Sequence, residues 1–194
     1  MRSPCFGRVL SLLVVLLLGA EPAAAHTFAF TDVRVSVDRD RFEVDVACDL
    51  DALALGVPSS ADSAALAAEI EAMTEPAREE LAGRLTEFLT RRLRVRFDGV
   101  PAPFTISFPE RGMARPDGAL PSHFGLVAHL EGRTPEGARQ ATFFASRSFP
   151  LVRLAWQSRT GESAVEEVLE PGAESRPQPV AGPATAGSAG ETAR

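Results

Sequence analysis

Apolar residues recur with a period of two along most of this chain, and with a period near 3.6 over one interior stretch. From Phe42 to Leu50 the even positions are Phe42, Val44, Val46, Cys48 and Leu50, and the odd ones are Glu43, Asp45, Ala47 and Asp49. Such alternation predicts a strand with one face in a core and one in water. Just upstream, Phe28 and Phe30 fall on one parity, and Val33, Val35 and Val37 on the other. A parity switch inside an apolar run predicts a bulge near Thr31 or Asp32. Asp38-Arg39-Asp40 separates the two runs as a hairpin connection.

The period then lengthens. Gly56 to Ser60 reads as a loop. Asp62 to Met73 places Leu66, Ile70 and Met73 on one helical face, and Pro76 to Leu93 does the same with Leu81, Leu85, Phe88 and Leu89. Thr74 stands where an N-cap is expected, with Glu75 in the first turn and Pro76 where a missing N–H costs little. Alternation resumes over Leu93–Phe97, Phe104–Phe108, Phe124–Leu130, Ala141–Phe149, Leu151–Gln157 and Ala164–Leu169. Turn residues at Asp98-Gly99, Glu110–Pro121 and Gly132–Ala138 punctuate these runs. The pattern predicts a mainly β fold, an antiparallel immunoglobulin-like (Ig-like) β-sandwich of about eight strands. Into it a two-helix segment is inserted over residues 60–93 or so.

The two ends read differently. Arg2 and Arg8 precede and flank an apolar run, Val9 to Leu18, broken only by Ser11, and Ala23-Ala24-Ala25 follows. This is the pattern of a secretory signal peptide over residues 1–25. The run is shorter than the ~20 residues a membrane crossing needs, and charges interrupt every later apolar stretch. The expectation is therefore an exported, periplasmic or secreted protein starting at His26, with no transmembrane segment in the mature chain. Its sandwich would span residues 26–170. Residues 171–194 are rich in Pro, Gly, Ala, Ser and Thr, with Val180 the one larger apolar residue, and predict a disordered tail.

Composition narrows the function. The 20 basic residues, all arginine, are outnumbered by 26 acidic ones, for a net charge of −6. That argues against nonspecific binding to nucleic acid or to an anionic membrane, which need a basic surface. With Cys5 in the leader, Cys48 is the one thiol of the mature chain. It can form no intramolecular disulfide, and zinc sites of four cysteines, or of two cysteines and two histidines, are excluded by count. Cys48 lies on the core parity, where burial raises a thiol pKa and leaves a packing residue.

His26 is the candidate metal ligand. After cleavage it would carry a free α-amine beside its imidazole, a nitrogen pair suited to copper or nickel. His123 and His129 fall on the outward parity of one predicted strand, about 20 Å apart, so only one could complete such a site. The acidic residues Asp38, Asp40, Glu43, Asp45, Asp49 and Asp51 lack EF-hand spacing. With Arg34, Arg39 and Arg41 beside them, they read as a solvated face. No G-x-S-x-G elbow, P-loop or G-x-G-x-x-G occurs, which leaves a triad assembled in space as the route to a hydrolase. Trp156 shares its parity with Val152 and Leu154 and reads as core.

The succession "AHTFAFTDVRV", "FEVDVACDLDALALG", "LTEFLTRRLRVRFDGVPAPF", "HFGLVAHLEGRTPEGARQATFFAS" and "VEEVLEPGAESRPQPV" resembles the soluble extracytoplasmic domain that precedes the membrane helices of HupE/UreJ-like proteins. The resemblance spans about residues 26–180. It implies a link to nickel handling that resides in the membrane portion of those proteins, and it assigns no functional residue here. A His at the start of a small β-sandwich is also similar to CopC-like periplasmic copper carriers. Taken together, the sequence predicts an exported, non-enzymatic binding or accessory domain without a cofactor. Its expected partner is an envelope or membrane protein, met at an exposed sheet face or edge. The alternatives are a periplasmic copper or nickel binder using His26, and a secreted hydrolase.

Overall fold

The computed structural model describes residues 30–59, 61–112, 122–157 and 165–180. Residues 1–25, where a signal peptide was expected, His26 and residues 181–194 lie outside these segments.

β1 (Phe30–Val37) and β2 (Arg41–Ala47) form an antiparallel hairpin from Asp32↔Ala47 to Val37↔Phe42. The expected bulge is absent. β1 runs in unbroken register against β8 (Leu151–Gln157), from Phe30↔Leu151 to Ser36↔Gln157. Thr31 is buried in line with Val33 and Val35, so the parity never switches. Phe30 instead faces outward, with the Arg153 guanidinium 5.1 Å from its ring centroid. A threonine in the core and an aromatic covered by a cation together mimic, in sequence, a change of face.

β2 was expected to reach Leu50 but ends at Ala47, because Asp49 starts a helix. Its carboxylate accepts from the Ala52 N–H at 3.0 Å, an N-cap on α1 (Leu50–Leu55). Gly56 closes α1 in the left-handed region, φ 70°. α2 (Ser63–Glu71) is capped by Asp62, whose Oδ1 accepts from Ala64 N–H at 3.0 Å. α3 (Glu75–Arg92) begins after Thr74, which occupies the N-cap position but makes no side-chain capping bond. The excursion between β2 and β3 thus holds three helices and starts at Leu50. The helices bury the stripes read from the sequence: Leu66 and Ile70 on α2, and Leu81, Leu85 and Leu89 on α3.

The remaining strands are β3 (Leu93–Phe97), β4 (Val100–Pro101), β5 (Phe104–Ser107), β6 (Val127–Arg133), β7 (Gln140–Ala145), β9 (Val165–Leu169) and β10 (Gln178–Pro179). Asp98 and Gly99 join β3 to β4 with φ 47° and 85°. Two consecutive positive φ values are what a two-residue I′ hairpin requires, and Asp-Gly supplies them cheaply. The Asp98 carboxylate also accepts from the Arg139 and Gln140 N–H groups at 3.1 Å, tying this hairpin to the start of β7.

The strands form a six-stranded sheet, β5-β6-β2-β1-β8-β9, and a four-stranded sheet, β10-β7-β3-β4. Their inner faces share one apolar core. Phe42 of the larger sheet meets Phe97 of the smaller with ring centroids 5.4 Å apart. Phe42 also lies over Gly132, its partner on β6, where any Cβ would overlap the ring. The fold is mainly β with two sheets, but it is not wholly antiparallel: β1 and β8 run parallel. A parallel pair needs a long crossover, and here the crossover contains most of the domain.

Residues 171–180, part of the expected tail, are instead tied to β7. Glu174 bridges to Phe144, Ser175 N–H donates to Phe143 O at 2.8 Å, and Gln178 and Pro179 pair with β7. This segment is held mainly by backbone pairing and by the buried Ser175 hydroxyl, with Ala173 and Val180 its small apolar contribution against the core, so composition did not reveal it.

One buried carboxylate organises the helical end. Asp51 is 1% exposed, and its oxygens accept from His123 N–H at 2.8 Å and Phe124 N–H at 2.9 Å. It therefore staples the segment before β6 onto α1. Asp51→Ala leaves two amide donors without their acceptor and should cost about 2–4 kcal/mol, read by urea denaturation. Asp51→Asn should cost less. A loss of under about 0.5 kcal/mol for the alanine variant, within the range of an ordinary surface change, would remove this role.

Candidate functional site

The outer face of the six-stranded sheet is open. Alternation puts Asp32 and Arg34 of β1, Asp45 and Ala47 of β2, Val127 and His129 of β6, and Arg153 and Ala155 of β8 on that face. β9 adds Glu166 and Val168. All of these except His129 line a groove of about 850 Å³. Its floor is low because Ala47 and Ala155 stand where longer side chains would fill it.

One ion pair and one hydrogen-bonded pair flank the floor. Arg153 donates to both oxygens of Asp32, at 2.6 and 2.7 Å. The hydrogen bonds and the charge of Asp32 hold the Arg153 pKa above its ordinary value. On the other side His129 Nδ1 lies 2.8 Å from Asp45 Oδ1. Arg34 sits between the pairs, opposite Asp45 on β2 and Ala155 on β8. Asp45 is turned to His129, and Arg34 is exposed with no carboxylate partner among the described residues. Exposed pairs such as these contribute about 0–1 kcal/mol each, so their effect here is geometric: they occupy Asp32 and Asp45 and leave the Arg34 guanidinium without a carboxylate among the described residues. A planar five-donor group of that kind suits bidentate binding of a carboxylate.

A second groove, of about 1120 Å³, lies where the β1–β2 and β6–β7 turns meet. Arg39, Arg41 and Arg133 line it, but so do Asp40, Glu131 and Glu136. The charges interleave and Arg41 is bound to Glu43 at 3.0 Å, so this groove has no single electrostatic character.

The residues singled out from sequence scatter. His26 lies outside the described residues. His123 and His129 do not share a strand: the left-handed Gly125, φ 81°, breaks the run, and β6 starts at Val127. His123 packs edge-on against Phe124 with centroids 5.0 Å apart, and its Nε2 is buried without a partner among the described residues. Burial, and then the charge of Arg111, holds its pKa below the usual histidine value. Among the described residues no group of three or more His, Cys, Asp or Glu could hold a metal ion. Asp49 and Asp51, expected on the wet face, are buried at 7% and 1% exposure and spend their oxygens on backbone N–H groups. Glu43 and Asp45 stay on the outer face, paired with Arg41 and His129. Trp156 is core, and its indole N–H has no acceptor among the described residues. Arg34 was visible only as one of several outward arginines. Which arginine stays unpaired depends on where Asp45 turns, and alternation does not encode that.

No family model matches this sequence, and no curated protein matches it. The geometry defines the class: a two-sheet, mainly β domain that presents an open, charged sheet face.

Two chemical predictions follow from the buried groups beside α1. Burial, reinforced by the Asp49 charge, pushes the Cys48 thiol up to about 12. With Cys5 replaced by Ser, Cys48 should react with Ellman's reagent at pH 8 at least about 100-fold slower in the native protein than in urea. Equal rates would show that the thiol is not sheltered. Burial also raises the Asp49 pKa, with the Ala52 N–H opposing the rise and the Asp51 charge adding to it. A raised carboxyl pKa contributes stability at acid pH that is lost as pH climbs through the folded-state value. Asp49→Asn keeps a good cap without the charge. Its melting temperature should exceed that of the parent at pH 7, by a margin that shrinks as pH falls toward about 4, the ordinary carboxyl range. A pH-independent difference would contradict this.

Proposed function

We propose that this chain is a non-enzymatic binding domain whose partner docks on the outer face of the six-stranded sheet, with Arg34 as the polar anchor. The observation that carries the reading is the exposed Arg34, without a carboxylate partner among the described residues, at the centre of a low-floored groove where Asp32 and Asp45 are already bound to Arg153 and His129. Arginine beside small apolar surface is the composition of interface hot spots. An immunoglobulin-like sandwich is the scaffold we infer for this face, supported by two sheets that share one core. The leader-like pattern of residues 1–25 supports an exported protein and a partner in the cell envelope. The resemblance to the extracytoplasmic domain of HupE/UreJ-like proteins favours a membrane protein among such partners.

The test is site-specific photo-crosslinking of the full chain in the cell that makes it. A photoreactive residue at position 155, on the groove floor, should give a discrete adduct. One at position 84, on the exposed side of α3, should give none. Arg34→Glu should weaken the adduct at 155 at least about tenfold, the equivalent of 1.4 kcal/mol. An adduct indifferent to Arg34→Glu, or equal labelling from both positions, would overturn the proposal.

A further inference from the structure

The four sheet edges are unlike one another. β4 and β10 are two residues long, too short to template a partner strand. β5 lies against α3. β9 is five residues long, and among the described residues no backbone hydrogen bond reaches its free side. It carries two of the exposed large apolar side chains, Val165 at 48% and Val168 at 61%. They stand on opposite faces, Val165 across from Trp156 and Val168 across from Arg153.

Charge on this edge has one sign. Glu166 and Glu167 lie within β9 and Glu170 follows it, with no basic residue from Val165 to Glu170. Glu167 is engaged, accepting from the Arg176 N–H at 3.2 Å. Glu166 and Glu170 are exposed. Glu166 shares the outer face with Val168, and both border the groove of Arg34; Glu170 follows the end of the strand, so an exposed acidic side chain stands on either side of Val168 along the chain. Two copies of this edge would place like charges opposite one another, which disfavours self-pairing, whereas a cationic strand would be drawn to it.

We propose that β9 is a docking strand: an extended basic segment of the partner adds to its free edge, with Arg or Lys against Glu166 and Glu170 and a small apolar residue against Val168. This rests on the sheet-face reading above and assigns the chemistry of the partner. The partner row would run basic–apolar–basic at every second residue, the spacing of a strand.

Three blocked seven-residue peptides test it against the full chain. The first alternates threonine with arginine, valine and arginine. The second replaces both arginines by glutamate. The third is the basic peptide with alternate backbone nitrogens methylated, which keeps the charge and removes the strand hydrogen bonds. By calorimetry the basic peptide should bind at least about tenfold tighter than either of the others, a difference of 1.4 kcal/mol. It should also slow amide hydrogen exchange across Val165–Leu169. The double change Glu166→Arg and Glu170→Arg should reverse the charge preference. No binding at millimolar basic peptide, equal binding of the methylated peptide, or protection elsewhere on the chain would overturn strand addition. If position 155 still crosslinks in an Arg34-dependent way while β9 takes no peptide, the sheet-face reading stands and this inference falls. Peptide binding at β9 without that crosslink gives the converse.

Discussion

The distance between the two sheets rests on one aromatic ring. Phe42 is fully buried on β2, reaches Phe97 on the opposite sheet, and lies over Gly132 on the neighbouring β6. Gly132 also pairs with Phe104 on β5, so two aromatic side chains flank a residue that has none. The ring occupies the volume that a side chain at 132 would claim. In return it covers backbone that glycine would otherwise leave bare in the core. β2 therefore cannot shift along β6 without driving Phe42 into a side chain and withdrawing it from Phe97. The register of the central strands, and with it the placement of every outward residue, depends on this fit.

Charge is divided along the same line. Toward the helices, Asp49 and Asp51 are buried and spend their oxygens on N–H groups, one capping α1 and one holding the segment before β6. On the outer face, carboxylates meet arginine or histidine side chains in exposed pairs. Buried carboxylates bonded to backbone contribute to architecture, whereas exposed pairs mainly set the electrostatic pattern that a partner meets. Arg34 matters because it stands on the second side of that division without a carboxylate partner among the described residues.

Much of the fold could be read from the chain. Strict alternation located β2, β3 and β8, and the period of 3.6 located α2 and α3, because one buried face leaves a regular trace in sequence. The failures share a cause. Thr31 as a core residue, Asp49 as a cap instead of a strand position, and Ser175 as a buried hydroxyl are polar side chains inside the protein. Hydropathy assigns such residues to water. Residues 171–180 were misread for the related reason that their order comes from backbone pairing. The candidate site was less legible. Its residue types and their common face were apparent, but the pairing of Asp32 with Arg153 joins positions 121 residues apart. The parallel β1–β8 contact that makes that pairing possible has no local signature.

That parallel contact has a consequence for how the chain must be made. β1 is the first described strand, yet it lies between β2 and β8 at the middle of the larger sheet. Until β8 has emerged, one side of β1 has no ladder, and the β1–β2 hairpin presents an unfinished edge while the helices, β6 and the smaller sheet are still being added. Closing a loop of this length is entropically costly and slows folding relative to chains built from neighbouring contacts. The domain is therefore completed late and from its C-terminal third, so a chain stopped before Leu151 would lack not a peripheral strand but the neighbour of its central one.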